Sequence, residues 1–342
     1  MAEHIQVSPD RRFMVFAGNT GPDGDDVDRR HVVKVPVDRA TPSVITPGTG
    51  LEWRPVVTGD GGHIVFLGAT PTRPPIPMAL AMGGGPGAAA RPIGRDRIPS
   101  EFPETQLVVP RKVVYKAPDG LDIHAQLFER AAGAAPPGGK PAVVYVHGGP
   151  PRQMLLGWHY SDYYSNAYAL NQYLASRGFI VLSINYRLGI GYGYEFHRPP
   201  HAGAQGATEY QDVRAAGEYL RTLPQVDPSR IGIYGGSYGG YLSALALARD
   251  SGLFAAGVDI HGVHDWAGER ARPCSPANGT RPLPTQRRRW RRLGGRRRYR
   301  PCPPGSRRCC SSTPTTTATC ASRRRWTSCS AWPRPAFPMK RL

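Results

Sequence analysis

The chain lacks several features that would assign it to particular classes of protein. It has no run of about eighteen consecutive apolar residues, so no transmembrane helix is expected. The segment Met1–Pro9 contains neither the basic nor the apolar part of a signal peptide, and we therefore expect a cytoplasmic protein. It also has no spaced quartet of cysteine and histidine residues, so neither a metal ion nor another cofactor is expected.

Acidic residues and cysteines are distributed very unevenly. Residues 267–342 hold 20 of the 44 basic residues and one of the 25 acidic residues, so residues 1–266 carry 24 charges of each sign. The six cysteines all lie in residues 267–342 as well. The net charge of +19 therefore belongs to this tail, and it is not a reason to expect a nucleic-acid partner for the rest of the chain.

Residues 1–70 contain short apolar strands that follow polar turns. The turn Ser8–Asp10 precedes the apolar segment Phe13–Phe16, and the turn Thr58–Asp60 precedes Ile64–Phe66, about fifty positions later. This spacing is typical of β-propeller blades, although a single hairpin domain would look similar. Because residues 70–105 are rich in Pro, Gly and Ala, they are predicted to be a linker or long loop. We interpret residues 1–105 as a partial β-propeller-like region and linker.

Apolar strands alternate with helices in residues 106–266. A hairpin is predicted at 113–128, strands at 142–146, 179–184, 231–234 and 255–260, and helices at 166–176, 209–223 and 241–248. Strands that alternate with helices are typical of a parallel, doubly wound α/β sheet.

A nucleophile motif lies between the third of these strands and the following helix. The sequence Gly235, Gly236, Ser237, Tyr238, Gly239 matches G-x-S-x-G, in the strand-to-helix context that this motif requires. A sharp turn there would project the Ser237 hydroxyl from the sheet at the positive end of a helix. The small residues around the serine would let strand and helix approach closely. We therefore predict that Ser237 is a catalytic nucleophile on an elbow formed by the three glycines.

A second glycine-rich loop follows the strand at 142–146. The segment His147–Pro150 can direct a backbone N–H from His147 or Gly148 at a developing oxyanion. The N–H of Tyr238 would be the second donor of this oxyanion hole. We predict that the loop lies beside Ser237.

Together these motifs resemble the prolyl oligopeptidase family of serine peptidases, in particular its dipeptidyl-peptidase and acylaminoacyl-peptidase branches. The resemblance covers residues 110–266 and rests on His147–Pro150, Asn185–Arg187, Gly191–Gly193, Val226–Gly232 and Gly235–Tyr241. It implies a partial α/β-hydrolase fold, preceded by a β-propeller-like remnant, and hydrolysis of peptide substrates through an acyl-enzyme on Ser237. Family members usually have a longer N-terminal portion, which implies a chain truncated in front.

The remaining members of a catalytic triad are not found in the printed chain. In this fold the acid and then the histidine follow the serine, and the resemblance implies an acid in a His-Gly-x-x-Asp-x-x-Val stretch. Neither stretch follows Trp266, and no histidine follows His264. Four residues follow Ser237 too closely to serve, and we expect none of them in a triad: Asp259, His261, His264 and Asp265.

The tail at 267–342 is predicted to be an out-of-frame, disordered segment. Its arginine runs show no usable hydrophobic period. Residues 310–320, read in the alternative frame with GC-rich third bases, give Leu-Leu-Ile-His-Ala-Asp-Asp-Asp-Arg-Asn-Val, which resembles the missing acid stretch. We therefore hypothesise a frameshift between about Arg270 and Pro301.

Three functions remain open from the sequence. The first is a serine peptidase, inactive or nearly so as printed because it lacks a base. The second is a carboxylesterase on the same fold, and the third is a non-catalytic remnant or a basic binding protein. The elbow and the propeller-like front favour the peptidase, with peptide substrates and without a nucleic-acid or membrane partner; the oligomeric state is open.

Overall fold

A computed structural model describes residues 1–19, 26–83, 89–130, 136 and 138–266, and the backbone of 319–322 and 325–328. Residues Met1–Val263 belong to one compact unit, and His264–Trp266 are the described part of a second. Within the described ranges, no helix combines the length and the hydropathy needed to cross a bilayer.

Two four-stranded antiparallel sheets occupy the N-terminal region. The strands follow one another along the chain in each sheet. The first sheet consists of β1 (Ala2–Val7), β2 (Phe13–Gly18), β3 (His31–Pro36) and β4 (Ser43–Val44). The second consists of β5 (Leu51–Val57), β6 (His63–Ala69), β7 (Ile76–Ala81) and β8 (Arg91–Pro92).

The two sheets repeat the same turn between their first and second strands. In the first, the Ser8 hydroxyl donates to Asp10 at 2.6 Å and accepts from the Phe13 amide at 3.1 Å. In the second, the Thr58 hydroxyl donates to Asp60 at 2.5 Å and accepts from the His63 amide at 3.0 Å. The recurrence seen in the sequence is therefore a recurrence of hydrogen-bonded geometry.

The prediction of a linker or long loop at 70–105 is wrong for its middle part. Strand β7 pairs with β6 over Ile76–Ala81 and carries the buried side chains of Met78 and Leu80. The prolines at 74 and 75 suggested a loop, but they lie before the strand begins. Pro77 lies within β7 and faces the short edge strand β8, where its carbonyl accepts from the Ile93 amide.

A mixed six-stranded sheet forms the second region, in the order β14-β13-β11-β12-β10-β9. The hairpin strands β9 and β10 are antiparallel, whereas β11 to β14 pair in parallel, as the sequence predicts. The strands are β9 (Arg111–Lys116), β10 (Asp122–Phe128), β11 (Lys140–Val146), β12 (Ile180–Asn185), β13 (Val226–Gly236) and β14 (Ala256–Ile260).

Among the residues that the structure describes, this region contains four α-helices. Two begin earlier than predicted: α1 spans Asp162–Ser176 and α4 spans Tyr238–Arg249. The others are the short α2 (Tyr194–His197) and α3 (Tyr210–Thr222). Helix α1 packs Tyr164, Tyr168 and Ala175 into a core that includes Tyr145 of β11 and Tyr234 of β13. The α/β architecture predicted from the alternating pattern is confirmed.

In the tail, the structure describes one hairpin. Strands β15 (Thr319–Ser322) and β16 (Arg325–Ser328) pair in antiparallel register. The prediction that residues 267–342 are largely without regular structure is not contradicted by this hairpin, which covers eight of these 76 residues. For the rest of 267–342 the prediction lies outside the described residues.

Candidate active site

Ser237 lies on a sharp turn between β13 and α4. Strand β13 ends at Gly236 and α4 begins at Tyr238, so one residue separates them. Ser237 has φ 56° and ψ −118°, a left-handed conformation that is unusual for a residue with a side chain. Its amide donates to the Ile260 carbonyl at 2.9 Å, which ties the turn to the end of β14. The backbone therefore has the strained form of a nucleophile elbow.

Glycines make this turn sterically feasible. A Cβ on Gly239 would collide with the carbonyl oxygen of Val146 and would lie 2.8 Å from that of His147. A Cβ on Gly235 would lie 2.6 Å from the carbonyl oxygen of Gly239. Strand β13, the first turn of α4 and the end of β11 therefore approach one another more closely than side chains would allow.

The loop that follows β11 lies directly against this turn. A Cβ on Gly148 would lie 3.1 Å from the Cβ of Ser237 and 2.6 Å from the carbonyl oxygen of Gly236. The Tyr164 hydroxyl of α1 donates to the Gly148 carbonyl at 2.9 Å, and this bond fixes the orientation of the peptide that follows Gly148. The structure thus brings the two glycine-rich loops together.

A stack of three buried aromatic rings connects the same two loops beneath the protein surface. The His147 ring stacks on Tyr186 with centroids 4.4 Å apart, and Tyr186 stacks in turn on Tyr238 at 6.3 Å. The Tyr186 hydroxyl donates to the His147 carbonyl at 2.9 Å, and the Tyr238 hydroxyl donates to the buried carboxylate of Glu209. The side chain of Tyr238 therefore points into the protein, and its hydroxyl is engaged by Glu209.

The imidazole of His147 is buried and neutral. Burial lowers its pKa to about 4, and its Nδ1 lies 3.0 Å from the Gly148 carbonyl oxygen. Its Nε2 has no hydrogen-bond partner among the residues that the structure describes. An uncharged ring supplies no cation to the loop, so electrostatic stabilisation there would come from backbone N–H groups and the N-terminus of α4.

A buried ion pair anchors the segment that carries Tyr186. The Arg187 guanidinium donates to Asp212 of α3 from Nη2 at 2.7 Å and from Nε at 2.9 Å, and to Asp119 at 2.6 Å. The hydrogen bonds from Arg187 hold the pKa of Asp119 at about 2. Charge-assisted, bidentate bonds of this kind hold the segment after β12 in one geometry beneath the site.

Asp259 and His261, two of the residues expected to lie outside a triad, make other contacts in the structure. Asp259 accepts from the Gly262 amide at 2.8 Å and so closes the turn after β14. The His261 Cε1 lies 3.6 Å from the position of a Cβ on Gly236, and its ring lies edge-on to Tyr163. Across the described ranges, no side chain is hydrogen-bonded to Ser237 as a base would be. His264 and Asp265 belong to the second unit.

Comparison with known proteins places this arrangement in a family. Residues 166–277, which include the elbow and Arg187, match the prolyl oligopeptidase family. The matched segment covers about a third of this chain and contains the motif Gly235–Tyr241 on which the resemblance rests. The family is one of serine peptidases, so the resemblance seen in the sequence is confirmed.

Individual relatives agree with this assignment. The chain is 31% identical to the uncharacterized peptidase YuxL of Bacillus subtilis over 164 residues, which cover 48% of this chain and 23% of that protein. It is 35% identical to dipeptidyl aminopeptidase BIII of Pseudoxanthomonas mexicana over 122 residues, covering 36% of this chain and 16% of the relative. The chain thus spans less than a quarter of the length of these curated relatives.

Solved structures support the fold. A puromycin-hydrolyzing peptidase of Mycobacterium tuberculosis superposes with a TM-score of 0.64 at 22% identity, over 80% of this chain and 39% of the other. An acylaminoacyl peptidase in complex with Z-Gly-Gly-Phe-chloromethyl ketone gives 0.61 at 22% identity, over 79% and 38%. The α/β-hydrolase-like architecture of the prolyl oligopeptidase family domain is therefore shared.

Sequence reasoning missed two residues that shape the site. Tyr164, which clamps Gly148, falls in the first turn of α1, and the predicted helix begins only at Asn166. Glu209, which accepts from Tyr238, reads as the polar start of a surface helix but is fully buried. The contact between Glu209 and Tyr238 depends on how α3 packs against α4, and the sequence carries no signal of that packing.

Proposed function

We propose that this chain contributes the nucleophile and the oxyanion hole of a serine peptidase. In this proposal Ser237 attacks the carbonyl carbon of the scissile peptide while its proton passes to a base. The base returns the proton to the leaving amine as the C–N bond breaks and the acyl-enzyme forms, and water then hydrolyses the acyl-enzyme. The backbone N–H groups of Tyr238 and of the His147–Gly148 loop bind the developing oxyanion. The two N-terminal sheets are two blades of a β-propeller in this proposal.

One observation carries the proposal: the left-handed backbone of Ser237 beside Gly148. A φ of 56° at a serine is strained, and strain of this kind persists where surrounding contacts over-determine it. The close approach of Gly148 to Ser237 supplies that constraint and sets a glycine-rich backbone where an oxyanion would form. A Gly-rich turn with an ordinary serine would need neither feature.

The proposal includes low activity for the printed chain. A serine hydroxyl is a weak nucleophile without an adjacent base, and the printed sequence has no histidine after His264. Residual activity from an oxyanion hole and binding alone is roughly 10³–10⁴-fold over water. The frameshift hypothesis for residues 267–342 is part of this proposal and is settled by resequencing the coding DNA.

The experiment compares the printed chain with a chain restored to the alternative frame and extended through the missing histidine. Both are assayed on chromogenic peptides and on acyl esters. The expected result is peptide hydrolysis by the restored chain, abolished by Ser237→Ala and unaffected by Ser176→Ala. Ser176 is the matched control because it is an exposed serine at the end of α1.

Two results would overturn the proposal. Hydrolysis of esters alone would favour the carboxylesterase, and turnover of neither substrate class would favour a non-catalytic or binding protein. If instead the printed chain matches the restored one, and His261→Ala abolishes that activity, the base lies within residues 1–342 and the predicted low activity is wrong.

A further inference from the structure

A cavity of about 500 Å³ opens beside the loop that follows His147. Its walls come from the first strands of the two N-terminal sheets, from Arg30 just before β3, and from residues 152–164 and Ile190 of the α/β region. This volume falls within the range of about 300–1,000 Å³ that is typical of ligand sites. The cavity is therefore large enough for one or two side chains of a peptide.

The cavity is connected to Ser237 through direct contacts. Tyr164 lines it and donates its hydroxyl to the Gly148 carbonyl at 2.9 Å. Gly148 packs against Ser237, and Arg152, which also lines the cavity, follows in the same loop. A peptide carbonyl held at Ser237 would thus have neighbouring side chains within reach of the cavity.

Guanidinium groups dominate the charge of the cavity wall. Arg30, Arg54 and Arg152 line it, together with the carboxylates of Glu3 and Asp162. Arg30 is already paired with Glu3, with Nε 2.5 Å from the carboxylate. Asp162 is an exposed residue at the start of α1.

Arg54 and Arg152 differ from Arg30 in their partners. Neither is ion-paired to a carboxylate within the part of the chain that the structure describes. The Arg152 Nη1 donates to the Pro151 carbonyl at 3.0 Å, and the Arg54 guanidinium lies 5.7 Å from the centre of the Tyr160 ring. Both side chains therefore retain donors for an anion.

A β-bulge sets the direction of Arg54. The register of β5 against β6 shifts between Trp53 and Val56, and Arg54 has φ 51°. Bulges re-aim side chains, and here the guanidinium comes to lie over Tyr160 on the cavity wall. The first sheet has the same bulge, with φ 54° at His4, whose ring also contacts Tyr160. Both sheets therefore have a bulge in their first strand. In the second sheet, the residue that it turns toward the cavity is the cation Arg54.

His159 lies beside these arginines and is uncharged. Burial, together with smaller contributions from the cations of Arg30 and Arg152, lowers the pKa of His159 to about 3. The neutral ring instead stacks on Tyr160 at 4.6 Å. An incoming carboxylate would therefore meet two guanidinium groups on a wall of aromatic rings, where its charge is partly shielded from water.

We propose that this cavity is a specificity pocket for an acidic side chain of the peptide substrate, bound by Arg54 and Arg152. The inference rests on the proposed function, since it takes the occupant to be a peptide held at Ser237. Both arginines are exposed at their tips, so each ion pair is expected to be modest and sensitive to salt.

The test measures binding, which does not require turnover. Four capped tetrapeptides carry one glutamate at successive positions, and four counterparts carry glutamine there. Binding to the full chain and to its Ser237→Ala variant is measured by calorimetry. We expect at least one glutamate peptide to bind about 10-fold more tightly than its counterpart at low salt. Each of Arg54→Gln and Arg152→Gln should reduce that preference about threefold.

Matched controls separate this role from folding and from general charge. Arg39→Gln removes an exposed arginine of the first region that does not line the cavity, and should leave the preference unchanged. Thermal unfolding of each variant checks that the fold is intact. Equal binding of the glutamate and glutamine peptides would overturn the inference. So would equally tight binding of acetate or inorganic phosphate, which would indicate a simple anion site.

The two proposals fail in different ways. A charge-selective preference that persists without any Ser237-dependent hydrolysis in the frame-restored chain would overturn the proposed function and support the pocket. Ser237-dependent hydrolysis with no preference for glutamate would overturn the pocket and support the function.

Discussion

The N-terminal sheets and the six-stranded sheet bury histidines in opposite ways. His31 of β3 is fully buried between Glu52 and Asp26, at 3.1 and 3.0 Å. Burial alone would lower its pKa, but the hydrogen bonds to both carboxylates outweigh this and raise it. Among the described residues, no carboxylate is bonded to His147 or His159, and burial lowers their pKa values to about 4 and 3. The N-terminal sheets thus favour the protonated form of His31. The α/β region favours the neutral forms of His147 and His159.

The two regions also differ in how much variation their backbones accept. Equivalent positions of the N-terminal repeat hold Arg11 with φ 59° and Gly61 with φ 70°, so a side chain is accommodated at that turn. At the elbow, Gly235 and Gly239 face backbone atoms of Val146 and of each other. Hydrogen bonds define the turns of the N-terminal sheets, whereas close backbone packing defines the elbow. We therefore expect the elbow to tolerate fewer substitutions than the N-terminal turns.

The largest expected effect is that of Gly239→Ala. The added methyl group would collide with the backbone of Val146, which cannot move without displacing the central strand β11. We expect the free energy of unfolding in urea to fall by about 2–4 kcal/mol, or the chain not to fold. Gly252→Ala is the matched control, because a Cβ there meets no atom within 4 Å. Equal losses for the two variants would show that close packing does not define the elbow.

The next effect concerns pH and tests the contrast between the histidines. Between about pH 3 and 6.5 the unfolded chain protonates His159 and the folded chain does not, so this residue costs stability as the pH falls below 6.5. His31 has a raised pKa, so its contribution is complete below pH 6.5 and is lost as the pH rises through the folded value. The two regions should therefore respond to pH in opposite directions.

Two substitutions separate these contributions. In urea unfolding followed from pH 4.5 to 8, His159→Phe should reduce the loss of stability on the acid side, by up to about 1.4 kcal/mol per pH unit. His31→Gln should instead lower stability most at acid pH and flatten the profile above pH 6.5. Parallel profiles for the parent chain and both variants would contradict the assignment of a charged and a neutral histidine.

The sequence predicted the α/β region better than the N-terminal one. Strands β11 and β12 are short apolar runs, and β13 ends in one at Ile231–Tyr234. The G-x-S-x-G motif predicts Ser237 at the end of β13 without further information. The start of α4 was placed three residues late, because Gly239 and Gly240 are poor helix formers in isolation. Their close contacts with the β11 and β14 ends override that propensity.

Elsewhere the decisive information is not local. The cavity and its two arginines depend on the bulge in β5 and on how residues 152–164 pack, and neither leaves a periodic signal. Strand β7 was missed because prolines adjoin it, although its burial is fixed by pairing with β6. The repeat at Ser8 and Thr58 was visible in the sequence, but not that each hydroxyl organises a turn.

The smallest expected effect tests that repeat. Ser8→Ala and Thr58→Ala each remove one hydroxyl that donates to an aspartate and accepts from the amide of the next strand. Each should lower the free energy of unfolding by about 1 kcal/mol, with Ser8→Ala the more costly because Ser8 is almost fully buried. Ser43→Ala is the control, since its exposed hydroxyl makes a single bond of 3.4 Å. A loss at one turn without a comparable loss at the other would mean that the two sheets share a sequence pattern but not its stabilising role.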